Sequence, residues 1–294
     1  MKRILVTGVN GQLGQELSGV LPSIGEVIGV GRAELDLTQP EAIRQLINQV
    51  KPDVIVNSAA YTAVDKAESE PELANAINAI APGIIAEECE KLAIPLIHVS
   101  TDYVFDGSKS SPYQDTDPTN PLSVYGKTKL AGEIAIQNSC QNYIILRTAW
   151  VYGVGGKGNF VKTMLRLGKD RPEIRVVADQ IGSPTYTLDL ANAITQLITL
   201  FQPEIAGIYS YTNSGVASWY DFAVAIFEEA KLLGWDLQIQ RVVPITTPEY
   251  PTPATRPAYS VLAGEKISKV LGTFAPHWRQ GLRKMLTELY TISV

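Results

Sequence analysis

The chain has 294 residues, of which 45% are hydrophobic and 19% charged, and a formal net charge of −5. That is long enough to bury a sizeable core and too apolar for a disordered chain. The acidic balance argues against nucleic acid as the main partner, and no stretch approaches the roughly 20 apolar residues of a membrane-crossing helix.

In chain order, the apolar run 4–6 predicts a buried strand, followed by a helix over 13–21. A second strand is expected at 27–30 and a second helix at 41–50, after Pro40. Residues 54–56 read as a third strand, 72–92 as one long helix and 96–99 as a fourth strand. A helix over 125–137 and a fifth strand at 143–146 follow. These strands are continuous apolar runs, so both faces are expected to be covered. Their alternation with helices implies an α/β fold with a doubly wound parallel sheet of Rossmann type. The second half is less regular. Residues 153–158, Gly-Val-Gly-Gly-Lys-Gly, read as a flexible loop, and the proline-rich stretch 244–257 as a surface loop. Helices are expected near 187–200, 218–232 and 279–290. Residues 1–150 form the expected cofactor-binding domain, with segments near 183–213 returning to it. Residues 151–294 are expected to form mainly a smaller C-terminal substrate-binding lobe.

The first strand runs into Gly8-Val9-Asn10-Gly11-Gln12-Leu13-Gly14, a G-x-x-G-x-x-G variant of the dinucleotide fingerprint. Gly8 suits the tight turn, Gly11 a close approach to pyrophosphate, and Gly14 close packing of helix on strand. The helix start, at Gln12 and Leu13, offers free N–H groups to the anion. The second strand ends at Arg32, where folds that prefer NAD place an acidic residue. A guanidinium suits a 2′-phosphate, so NADPH is the expected cofactor, with NADH open as a second. Asp36 and Leu37 follow closely, in position to meet the adenosine end.

Tyr125-Gly126-Lys127-Thr128-Lys129 contains Y-x-x-x-K, which puts both side chains on one helix face. An ammonium beside the phenol is expected to stabilise the phenolate by roughly 4 kcal/mol and so to make Tyr125 a better-matched general acid. The fourth strand ends at Ser100-Thr101-Asp102, with hydroxyls at the carboxyl end of the sheet, where such folds bind ligands. Cys89 and Cys140 lie in no paired motif, which predicts free thiols. His98 and His277 have no metal-ligand spacing, so no histidine metal site is expected. With no signal-peptide core at the N-terminus, a cytoplasmic location is expected.

Together these features resemble the extended short-chain dehydrogenase/reductase superfamily and, within it, the dTDP-4-dehydrorhamnose reductase family. The resemblance spans nearly the whole chain. It is carried by residues 57–68 (Asn-Ser-Ala-Ala-Tyr-Thr-Ala-Val-Asp-Lys-Ala-Glu), 100–107 (Ser-Thr-Asp-Tyr-Val-Phe-Asp-Gly) and 125–129, and by 147–152, 179–185 and 256–260. It implies NADPH-dependent reduction of the C4 keto group of dTDP-4-dehydro-L-rhamnose to dTDP-L-rhamnose, in nucleotide-sugar and carbohydrate biosynthesis. By matching position, Thr101, Tyr125 and Lys129 would be the catalytic set. Ala59, Ala60, Tyr61 and Ser100 would line the cofactor cleft, and Lys129 would hold the nicotinamide ribose. Trp150 would pack against the sugar, while Asn159 and Arg256 would meet its polar or phosphate groups. Some relatives are metal-bridged dimers through a glutamate that Leu188 replaces here, so no metal is expected and the chain is read as monomer or homodimer. Two other readings share the fold: another nucleotide-sugar epimerase or reductase, and the NADP-binding regulatory subunit of methionine adenosyltransferase.

Overall fold

The structure is a computed structural model and describes residues 1–293. β1 (Lys2–Thr7) is buried from Ile4 onward and leads into α1 (Gln12–Val20), β2 (Gly25–Val30), α2 (Pro40–Val50) and β3 (Val54–Asn57). Two short helices, α3 (Val64–Ala67) and α4 (Pro71–Asn75), come next. A π-helical turn, Ala76–Ile80, joins α4 to α5 (Ala81–Leu92). The expected single helix over 72–92 is therefore interrupted by this turn. β4 (Leu96–Thr101), α6 (Val124–Ser139) and β5 (Tyr143–Thr148) complete the regular half.

Beyond it lie β6 (Val151–Tyr152), α7 (Phe160–Asp170), β7 (Glu173–Val177), β8 (Ile181–Gly182), β9 (Thr185–Tyr186) and α8 (Thr187–Leu200). β10 (Gly207–Ser210), β11 (Ala217–Ser218), α9 (Trp219–Leu232), β12 (Arg241–Ile245), α10 (Glu265–Leu271) and α11 (Trp278–Ser293) finish the chain. Part of the proline-rich stretch is thus a strand: Pro244 lies in β12, which pairs in parallel with β7 in a two-stranded ribbon. A proline is tolerated there because a ribbon strand has a free edge.

The main sheet has six strands in the order β10-β5-β4-β3-β1-β2, every pair parallel. Alternation along β1 explains its two covered faces. Ile4 and Val6 pack with Leu13, Leu17 and Ile194 of α1 and α8, whereas Leu5 packs on the opposite side with Ile43, Ile85 and Ile136 of α2, α5 and α6. A separate core gathers Tyr152, Met164, Phe222, Ile226, Leu282 and Met285 from α7, α9, α11 and their neighbours. Cys89 and Cys140 are free and buried. Among the described residues no helix is long and apolar enough to cross a membrane.

Candidate active site

The glycine loop owes its shape to backbone crowding. Gly8 has φ +74°, and a Cβ there would stand 2.8 Å from the Ala59 backbone. A Cβ on Gly14 would lie 2.2 Å from the Gly8 carbonyl oxygen. Gly8 N–H donates to the Val30 carbonyl at 2.9 Å, tying the loop to the end of β2. Gly11 caps α1 without a side-chain bond, so no side chain of the cap takes the first-turn N–H groups at Gln12, Leu13 and Gly14, as an anion site requires. Arg32 and Asp36 are exposed just beyond β2. Backbone and hydroxyl bonds from Thr38 hold the Asp36 carboxyl below its usual range. Leu37 packs beside Tyr61.

Ala59, Ala60 and Tyr61 follow β3, and a residue absent from the sequence expectations holds the Tyr61 backbone. Asn78, buried in the π turn, accepts from Tyr61 N at 2.8 Å and donates to Tyr61 O at 3.1 Å and Thr128 Oγ1 at 3.2 Å. α6 comes this close because a Cβ on Gly132 would lie 2.1 Å from the Asn78 carbonyl oxygen. π turns recur at functional sites because they re-aim a side chain in this way.

Thr101 ends β4, and Tyr125 and Lys129 stand one turn apart on α6. Ser123 caps that helix, accepting from Gly126 N at 3.2 Å. Thr101 Oγ1 donates to Asp102 Oδ1 at 3.0 Å and accepts from Tyr103 N at 3.2 Å. Burial pushes the Asp102 carboxyl up to about 6, opposed by the nearby Ser260 and Thr101 hydroxyls. The expected lowering of Tyr125 is not what this arrangement produces. Burial pushes the phenol up to about 12; the nearby Thr101 hydroxyl offsets part of the rise, and the Asp102 charge adds to it. Lys129 turns its Nζ to the Val99 carbonyl, at 2.7 Å, and to His98 Nε2, at 3.1 Å. Burial brings this lysine down to about 8, with Glu133 opposing.

Ser100 points to the other face of β4 from Thr101, as strand alternation demands. Its hydroxyl donates to Glu133 Oε1 at 2.5 Å, so it is bonded into an ion pair beneath the cleft. Trp150 holds φ +47°, an uncommon conformation for a bulky residue and one found where surrounding contacts over-determine the backbone. Its ring stacks on Trp219 at 3.6 Å with the planes 6° apart. Asn159 caps α7, accepting from Lys162 N at 3.0 Å, and donates to Gln12 Oε1 at 2.7 Å and Gly153 O at 2.8 Å. Its polar atoms therefore fasten the 153–158 loop to the start of α1. Arg256 binds Asp65 at 2.8 and 3.0 Å and the Ala254 carbonyl at 3.0 Å, joining the proline-rich loop to α3. The hydrogen-bonding groups of Asn159 and Arg256, expected at the substrate, are thus bonded within the protein. Leu188 packs against the second core. Burial raises the nearby Glu16 carboxyl, with Thr187 opposing and Glu288 adding. Among the described residues no three His, Cys, Asp or Glu side chains gather to hold a metal ion.

The family model described as the RmlD substrate binding domain matches residues 1–291. The dTDP-4-dehydrorhamnose reductase of Salmonella typhimurium is 44% identical, over 98% of this chain and 98% of its own. The chain belongs to the dTDP-4-dehydrorhamnose reductase family. It is accordingly an enzyme, an oxidoreductase. The crystal structure of the Bacillus anthracis dTDP-4-dehydrorhamnose reductase in complex with NADP superposes with a TM-score of 0.91, at 38% identity, covering 98% of this chain and 99% of that one. The Clostridium acetobutylicum ortholog superposes at 0.90 with 42% identity, covering 98% and 99%. The dTDP-4-dehydrorhamnose reductase match therefore extends through both the regular half and the 151–291 segment, which sequence periodicity describes poorly.

Proposed function

We propose that this enzyme reduces the C4 keto group of dTDP-4-dehydro-L-rhamnose to dTDP-L-rhamnose with NADPH, residues 1–150 carrying mainly the cofactor and 151–294 mainly the sugar nucleotide. One observation carries the reading: Tyr125 and Lys129, one turn apart on α6, stand with Thr101 of β4 at the carboxyl end of the sheet, and the Thr101 hydroxyl is near enough to the phenol to ease its deprotonation. The residues present fit the cofactor. Gly8 and Gly14 keep side chains off the loop, the start of α1 has no side-chain cap, and Arg32 is exposed just beyond β2, a residue type suited to a 2′-phosphate. NADPH supplies the hydride to the carbonyl carbon. Tyr125 gives its phenolic proton to the oxygen, completing the alcohol. Thr101, anchored by Asp102 and the Tyr103 amide, polarises the carbonyl oxygen beside the phenol. Lys129 contributes positive charge near the pair when its amine is protonated. Trp150 and Trp219 offer a fixed apolar wall to the sugar.

The direct test is the nicotinamide absorbance of NADPH mixed with enzyme and dTDP-4-dehydro-L-rhamnose, beside an NADH control and with product analysis. Substrate-dependent oxidation yielding dTDP-L-rhamnose is expected. Intact NADPH binding without oxidation would overturn the reading and favour a regulatory role. Arg32→Ala is expected to remove charge-assisted bonds worth about 1.5–3 kcal/mol, weakening NADPH roughly ten- to a hundredfold and leaving NADH nearly unchanged. Equal loss for both cofactors, measured by fluorescence titration, would argue against recognition of the 2′-phosphate.

A further inference from the structure

The imidazole of His98 takes no part in the transfer just described, yet it touches Lys129. His98 and Asn57 are 0% exposed, Lys129 1% and Thr7 2%. These four side chains form one line through the sheet into α6. Thr7 Oγ1 lies 2.6 Å from Asn57 Oδ1, Asn57 Nδ2 lies 3.0 Å from His98 Nδ1, and His98 Nε2 lies 3.1 Å from Lys129 Nζ. Strand register builds the line: Thr7 is paired with Asn57, and Asn57 with His98, across neighbouring parallel strands.

Buried polar groups are costly unless each contact has one donor and one acceptor. A neutral imidazole has a single N–H, so the polarity of the whole line follows from the charge on Lys129. An ammonium only donates. His98 must then accept at Nε2 and carry its hydrogen on Nδ1, and Asn57 must turn its oxygen toward the ring. A neutral amine gains a lone pair and, with an N–H given to the Val99 carbonyl, can accept from the ring. His98 then carries its hydrogen on Nε2, Nδ1 accepts from the Asn57 amide, and Thr7 donates to the Asn57 oxygen, the arrangement with the short 2.6 Å contact. A half-turn of the amide exchanges the two patterns with the heavy atoms in place. Passing from the first to the second releases one proton, the one lost by Lys129.

We propose that Thr7, Asn57 and His98 form a buried tautomer switch that keeps Lys129 bonded in either charge state, with His98 as its positioning residue. The setting suits this. Burial, and then the Lys129 charge, hold the imidazole well below its usual range, so it stays neutral. From α6 the facing charge is Glu133, which Arg147 of β5 neutralises at 2.7 Å. From β4 come the Val99 carbonyl and His98 itself, and β3 adds Asn57. On the cleft side the Asp102 charge raises the Tyr125 phenol. Lys129, at about 8, can therefore change charge in the neutral-to-basic range. A switch of this kind explains how a fully buried line tolerates both states.

The chain holds two histidines, so 15N-labelled histidine gives two sets of ring signals, and His277→Asn assigns the exposed one. His98 is expected to remain neutral throughout, with Nδ1–H at pH values below the Lys129 titration and Nε2–H above it. Lys129→Met should abolish the transition. A single tautomer across the titration in the wild type, an imidazolium form of His98, or an unchanged transition in Lys129→Met would each overturn the switch. Its role in turnover rests on the proposed function, and the two fail separately. Normal turnover by Lys129→Met would remove Lys129 from the reaction while the wild-type tautomer shift stood. An inactive Lys129→Met beside a wild type with one fixed tautomer would remove the switch alone.

Discussion

Tyr125→Phe is expected to lower kcat by about 10²- to 10⁴-fold, the usual contribution of a positioned general acid, while NADPH affinity stays near that of the unaltered enzyme. The substitution deletes one oxygen and keeps the ring, which meets Tyr103 edge-on with centroids 5.5 Å apart. No packing argument therefore predicts a large loss. The size of the effect follows from the setting of the phenol. Held up at about 12 by burial and by the Asp102 charge, it retains its proton throughout the neutral range. The proton is always present to give, and the hydride step supplies an alkoxide basic enough to take it. Stopped-flow turnover and a binding titration on the same variant check both halves. Near-normal kcat would remove Tyr125 from the reaction, whereas a matched loss of NADPH binding would mark it as a binding residue.

The parallel sheet was legible because its strands are short unbroken apolar runs separated by helical ones, a pattern that few other folds produce. The late elements were hidden for identifiable reasons. β7 and β12 are short, β7 is exposed at alternate residues, and β12 is interrupted by Pro244. α7 left a signal that the glycine loop before it obscured. Val161, Met164, Leu165 and Gly168 are buried at helical spacing, behind Asn159, a residue type favoured as a cap. At the site, the Y-x-x-x-K pair carried the shared helix face but not its electrostatics, because the direction in which Lys129 points depends on His98, one strand away. The supporting polar residues had a local trace. His98 and Ser100 alternate along β4, and Lys129 and Glu133 lie four apart on α6, so one polar strand face meets one polar helix face. What no local pattern carried was Arg147, which completes that contact from β5, or Asn78, whose aim depends on a π turn.

Arg147→Met should destabilise the protein by about 3–5 kcal/mol, because it leaves a buried carboxylate without its partner. Glu133 is fully buried, and Arg147 binds it through Nη2 at 2.7 Å and Nε at 3.1 Å. The guanidinium also donates to the Asp115 carbonyl at 3.2 Å and lies over the Phe105 ring. The exposed pair Arg175–Glu249 offers a contrast at the same N–O distance of 2.7 Å. Breaking it should cost about 1 kcal/mol or less, since solvent replaces the lost bond. Denaturant midpoints of the two single variants measure this difference. The double variant Arg147→Met with Glu133→Leu removes the stranded charge and is expected to recover most of the stability, but not kcat. Ser100, bonded to Glu133, is paired across β4 and β5 with Arg147, and Glu133 stands one turn beyond Lys129. The ion pair therefore sets the distance between the strand that carries Thr101 and the helix that carries Tyr125 and Lys129. An apolar replacement can fill the space without fixing that distance. Recovery of both stability and turnover would mean that packing alone holds the catalytic spacing. Recovery of stability alone would assign the buried charges to the geometry of the reaction.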